Sequence, residues 1–194
     1  VNVVGSTIAN ESDDVLYTWA GPEIAVASTK AYSTQLAVIY LIALYMADQL
    51  GTVPQGEMAQ YLADLQRLPD LAEACLADKK TIQYFASQYF NAHDMYFIGR
   101  NVDYAASLEA SLKLKEISYI HSEAYTAGEL KHGPISLIED GTLVIAISTY
   151  EKLFDKMMSN VREVKSRGAV VLGITVRGRE DALKQETDYQ FCVP

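Results

Sequence analysis

Glu109, Lys113 and Glu116 stand at i, i+4 and i+7, a spacing that a helix of 100° per residue gathers within about 60°. A carboxylate beside an ammonium can move a proton at one atom while balancing charge on the next. His132 follows one loop later, and an imidazole gives and takes protons near neutrality. Leu108 and Leu112 flank the charged stripe on one side, and Ala110, Leu114 and Ile117 on the other. Ile120 continues the stripe, whereas Ser107, Ser111, Lys115 and Ser118 take the opposite side. Charges set between apolar flanks are expected to look into a cleft, because a solvated face is polar well away from the core. The same residues also admit a plainer reading. Glu109 to Lys113 is the favourable orientation of an ordinary helix pair, which contributes about 0.2–0.5 kcal/mol and implies no chemistry. A lone histidine is commonly a hydrogen-bonded packing residue. Around His132, however, Gly128, Glu129, Lys131, Gly133 and Pro134 make a polar, glycine-punctuated segment suited to a functional loop.

Two kinds of element must position these groups. A turn-rich stretch and an apolar run at 15–19 lead to Gly21-Pro22, and a helical pattern then runs from Ser28 to about Asp48, stopped by Gly51 and Pro54. Ser28 and Thr29 are N-cap candidates; the free backbone N–H groups of that helix start also suit hydroxyl or anion contacts. A second helix is expected over 57–68, broken by Pro69, and a third over 71–91, the two reading as a packed bridge. From Met95 the rhythm changes to short β-rich runs, MYFIG, TLVIAIS, AVVLGIT and YQFCV, with helical patterns at 104–119 and 152–167 between them. That alternation predicts parallel strands joined by right-handed crossovers, a three-layer α/β/α sandwich of the doubly wound, flavodoxin-like kind, with linking helices. Ligands in such sheets gather at the carboxyl ends of strands, so the 99–101 and 148–150 loops are candidate rims. No dinucleotide fingerprint or P-loop is present.

Composition narrows the function classes. A chain of 194 residues with 49% hydrophobic content can bury a core. A net charge of −9 argues against nucleic acid as a partner, since phosphate backbones need clustered Lys and Arg. The longest apolar run, 36–47, falls short of the roughly 18 residues a membrane-spanning helix needs, and the amino end shows no secretory pattern. Cys75 and Cys192 lack metal-ligand spacing and read as buried thiols of a reducing cytoplasm. Both ends open or close near strand-like runs, at 1–4 and 189–193, which suggests a piece of a longer protein.

Residues 20–36 (AGPEIAVASTKAYSTQL) and 111–134 (SLKLKEISYIHSEAYTAGELKHGP) resemble, almost word for word, the isomerase half of the glutamine–fructose-6-phosphate aminotransferases, which is built from two sugar isomerase (SIS) domains. The resemblance covers essentially the whole chain. It implies the remnant of a first SIS domain over 1–50, linking helices over 51–76, and a second SIS domain over 77–194 that is incomplete at its end. It further implies that Glu116 is the general base carrying a proton between C1 and C2 of the sugar. Lys113 would steady the developing enolic oxygen. His132 would open the sugar ring from a neighbouring subunit. Val26 and Ser28 would hold the sugar, and Glu109 would orient the others.

The implied activity is formation of glucosamine 6-phosphate from fructose 6-phosphate and glutamine-derived ammonia, in amino-sugar biosynthesis. The implied partners are those sugar phosphates, a second copy of the chain and a glutaminase domain of the same parent chain; no cofactor, metal, membrane or nucleic acid is implied. The family's phosphate-gripping loop, its Schiff-base lysine and its glutaminase cysteine would all lie beyond this chain, so the segment alone is expected to be inactive. The 148–151 loop also carries Glu151, which a phosphate would disfavour. A non-catalytic sugar-phosphate regulator or a deglycase built on the same domain is the alternative; a regulator would not need the Glu/Lys/His set.

Overall fold

The computed structural model describes residues 1–28, 30–77 and 79–194; the N-cap candidate Thr29 lies outside the described residues. The chain divides into two compact units, Val1–Asp70 and Leu71–Pro194.

The first unit holds helices α1 (Thr7–Glu11) and α2 (Lys30–Leu50) and the start of α3 (Gln55–Ala77). Ser6 caps α1 by accepting from the Ala9 amide at 3.4 Å. The 1–4 run forms no strand. It is held by the Thr18 amide donating to the Val1 carbonyl, by the Val1 amine donating to the Leu16 carbonyl, and by Asn2, whose side-chain oxygen accepts from the Ala20 amide. Along α2 no described residue is buried, and Ile39, Tyr40, Leu41, Ile42, Tyr45 and Met46 are exposed. Helix α3 continues through Pro69 instead of breaking there. One lost backbone bond is offset by strong helix formers on both sides, Leu68 before it and Leu71, Ala72 and Glu73 after it. The interruption falls later, before α4 (Lys80–Tyr89), so the single helix expected over 71–91 is two.

After α4 the second unit runs β1 (Asp94–Gly99), α5 (Val102–Ser118), β2 (His121–Thr126), β3 (Leu143–Ser148), α6 (Phe154–Lys165), β4 (Val170–Val176), α7 (Glu180–Lys184) and β5 (Tyr189–Val193). Between β2 and β3 run two 3-10 segments, Ala127–His132 and Pro134–Leu137. All five strands are parallel in the order β2-β1-β3-β4-β5. This is the flavodoxin-like order, and its topological switch lies between β1 and β3. One face of the sheet packs Tyr96, Ile98, Val144, Ala146 and Val171 against α6, Leu183 of α7 and the 3-10 residues Ala127 and Leu130. The other packs Met95, Phe97, Leu143 and Leu172 against Phe85 of α4 and Ala110 and Leu114 of α5. Each fully buried aliphatic side chain contributes about 1.5–3 kcal/mol. The central strands β1 and β3 are covered on both faces, which is why they read as unbroken apolar runs.

Strand β2 was not among the runs the sequence suggested. HSEAYT is polar because it is an edge strand, and its buried Ser122 bonds to Ser111 of α5 rather than packing against aliphatics.

Candidate active site

Helix α5 sits close to the sheet because its inward side is small. Ser107 and Ser111 are 0% and 2% exposed, and the Ser111 hydroxyl lies 2.9 Å from that of Ser122 on β2. Gly99, the last residue of β1, makes the approach possible. A Cβ there would stand 2.5 Å from the Asp103 backbone carbonyl. Glu109, Lys113 and Glu116 project from the opposite side of α5, roughly 180° from the serines.

The helix is thus reversed from the usual pattern. Its large apolar residues Leu108, Leu112 and Ile117 are 48%, 43% and 64% exposed, and of the stripe's flanks only Ala110 and Leu114 pack against this unit's core. The three charged side chains are less exposed than Leu108, Leu112 and Ile117, at 20% for Lys113, 23% for Glu109 and 27% for Glu116.

Lys113 Nζ donates to Glu116 Oε2 at 2.6 Å and stands 3.6 Å from Glu109 Oε1. Its pKa is raised above the ordinary lysine value, chiefly by the hydrogen bond to Glu116 and against the opposing effect of burial. The amine is therefore a permanent cation at neutral pH, between two carboxylates that it holds along one line of the helix. Such a group can neutralise an oxygen that gains negative charge, while the adjacent carboxylate handles a proton on the neighbouring carbon.

His132 is not brought to this pair within one chain. It ends the 3-10 segment whose Ala127 and Leu130 are sunk into the α6 face of the sheet, whereas α5 covers the other face. Its side chain is 74% exposed, with a carboxylate oxygen of Glu129 3.9 Å from Nε2. Val26 and Ser28 belong to the first unit. Val26 is 96% exposed, and the Ser28 hydroxyl donates to Glu23 at 3.1 Å.

Three residues outside the expected set shape the carboxyl edge of the sheet. Asp103, only 4% exposed, accepts from the backbone amides of Thr149 at 3.0 Å and Tyr150 at 3.1 Å, and also from the Thr149 hydroxyl. Those amides lie at the switch between β1 and β3, where an anionic ligand of this fold would bind. Here the internal carboxylate of Asp103 takes them. Arg100 and Asn160 are joined at the same edge, Nε to Oδ1, at 3.0 Å. Arg100 falls within the 99–101 rim expected from the sequence, whereas no spacing rule points to Asp103, which resembles a first-turn helix acid, or to Asn160, which resembles an exposed polar helix position. A cavity of about 380 Å³ opens at the amino edge of the sheet, lined by His93, Asp94, Tyr96, Glu139 and Asp140 among others. It contains none of the candidate residues.

The SIS domain family matches residues 88–194. The chain is 57% identical over 180 residues to a protein of Clostridium tetani named glutamine–fructose-6-phosphate aminotransferase [isomerizing], covering 93% of this chain and 30% of that one. A protein of the same name from Symbiobacterium thermophilum is 52% identical over 193 residues, covering 100% and 32%. Among solved structures, the C-terminal domain of glucosamine-fructose-6-phosphate aminotransferase from Francisella tularensis superposes with a TM-score of 0.93 at 34% identity, over 99% of this chain and 54% of that one. The chain thus spans about a third of the length of the curated relatives it matches. Among the described residues no helix is long and apolar enough to cross a membrane.

Proposed function

Because the chain belongs to the SIS domain family, we propose that it supplies the isomerase acid–base groups of a glutamine–fructose-6-phosphate aminotransferase, which converts fructose 6-phosphate and glutamine-derived ammonia into glucosamine 6-phosphate. The observation that carries the reading is the 2.6 Å pairing of Lys113 with Glu116 on the outer side of α5. The aminotransferase names of the relatives supply the substrate class. In this reading residues 1–50 belong to a first SIS domain, 51–76 link the two, and 77–194 are the second.

The chemistry follows from the groups. His132 of a second copy protonates the ring oxygen and takes the proton of the anomeric hydroxyl, which opens the ring. With ammonia condensed on the C2 carbonyl and its oxygen released as water, Glu116 then removes a proton from C1 and returns it at C2, while Lys113 balances the charge that builds on the neighbouring oxygen between these steps. Hydrogen moves from one carbon to the next and nothing is oxidised overall. Glu109, 3.6 Å from Lys113, keeps the ammonium aligned on the stripe. Val26 and Ser28 contact the sugar. The exposed Leu108, Leu112 and Ile117 around the stripe favour a homodimer, because burying them against a second copy would enclose the site.

In the complete protein, Glu116→Gln should lower glucosamine 6-phosphate formation by about 10²–10⁴-fold, the usual scale of a lost general base. Glutamine hydrolysis should continue. Unchanged amino-sugar output would overturn the assignment.

A further inference from the structure

We infer that Arg100 is a positioning residue for His132, acting on the 3-10 segment Ala127–His132 from both of its ends. The inference rests on the ring-opening role of His132 given above.

Arg100 leaves the carboxyl end of β1 and is half-buried. Its Nε donates to Oδ1 of Asn160 at 3.0 Å, and Asn160, 3% exposed on α6, passes the contact on: its amide nitrogen donates to Glu163 Oε2 at 3.3 Å. The other oxygen of Glu163 takes Lys131 Nζ at 2.8 Å, and Lys131 is the residue before His132. The second arm is direct. A Cβ on Gly128 would stand 2.9 Å from one terminal nitrogen of Arg100 and 3.3 Å from the guanidinium carbon. The guanidinium therefore lies against the backbone at the start of the segment, and a side chain at position 128 would push it away.

The segment needs such support. No side chain caps its start, and it closes on Gly133 at φ 142°. Its own anchors are Ala127 and Leu130, both buried on the side away from solvent. Next to His132, Lys131 ties the end of the segment to Glu163 on α6. A single anion, Glu163, is thus placed in line with two cations, Arg100 and Lys131, and the buried Asn160 amide relays one to the other through its oxygen and nitrogen. An Arg serves here where a Lys would not, because it reaches Asn160 with Nε while its planar end covers Gly128.

A role confined to stability would slow every reaction of the protein alike, whereas positioning of His132 matters only when a ring must be opened. The two are separated with a substrate that has no ring. 5-Deoxyfructose 6-phosphate lacks the hydroxyl that closes the furanose, and its phosphate blocks the alternative closure, so it remains open-chain.

In the complete protein, Arg100→Met should lower kcat with fructose 6-phosphate by about tenfold or more, on the scale of a misplaced catalytic group. With the acyclic analogue its rate should stay within about twofold of the parent. Gly128→Ala, which leaves Arg100 in place but lifts its guanidinium off the loop, should show the same selectivity. His132→Asn serves as the reference and should show it most strongly, and Arg100→Met should add no further loss in that background. Equal losses on both substrates for Arg100→Met and Gly128→Ala, or no loss on either, overturn the inference while leaving the ring-opening role intact. An equal loss on both substrates for His132→Asn overturns the ring-opening role itself, and the inference with it.

Discussion

Lys113 bonds to Glu116 over 2.6 Å, and that contact helps to keep the lysine protonated. Because the lysine pKa is raised in the folded protein, its contribution to stability is complete below the ordinary lysine value of 10.5 and is lost as pH rises through the higher folded value. The ammonium is thus available over the whole neutral and mildly alkaline range. An NMR titration of isotopically methylated Lys113 should give a midpoint above 10.5, and Glu116→Gln should bring it down. A midpoint at or below the ordinary value in the parent protein would contradict the pairing. At this scale the sequence was informative where spacing alone defines the contact: Glu109, Lys113 and Glu116 meet because one helix carries all three. It was silent where contact depends on tertiary structure. Asp103 reaches Thr149 and Tyr150 across 46 and 47 residues, and Arg100 reaches Asn160 across 60.

Helix α5 decides how the site faces. Apolar periodicity would turn its leucines inward, yet the sheet contacts are Ser107, Ala110, Ser111 and Leu114, and the outward side carries Leu108, Leu112 and the charges. Gly99 and Ser122 account for the reversal, since a helix packed this closely to β1 and β2 has room for serine and not for leucine. Ser111→Leu should therefore destabilise the fold by about 1–3 kcal/mol through overpacking, measured by chemical denaturation. Leu112→Ser, on the exposed side, should shift monomer stability by less than about 0.5 kcal/mol. The opposite ranking would mean that α5 is turned the other way. Two other departures have their own reasons. Polar β2 is a strand because β1 pairs with it from Asp94↔His121 to Gly99↔Thr126. Helix α3 passes Pro69 because its neighbours outweigh one missing bond. The buried strands β1, β3 and β4 were legible from their apolar runs, which is where burial on both faces leaves the least choice of residue.

Glu116 and His132 are sixteen residues apart in the chain, but β2 carries the chain between them from one face of the sheet to the other. A single copy therefore presents the proposed proton-transfer pair on one side and the proposed ring-opening imidazole on the other. The exposed apolar surface around the pair and the 74% exposure of His132 both fit a site completed by a second copy. The direct test is complementation between two inactive forms of the complete protein. Glu116→Gln and His132→Asn homodimers should each be nearly inactive. Dissociated and reassociated together in equal amounts, they should recover about a quarter of parental glucosamine 6-phosphate formation, because half the dimers are mixed and each mixed dimer has one site with both groups intact. If the mixture is confirmed to contain mixed dimers and stays as inactive as its parents, Glu116 and His132 act from the same copy or not in one site, and the account fails.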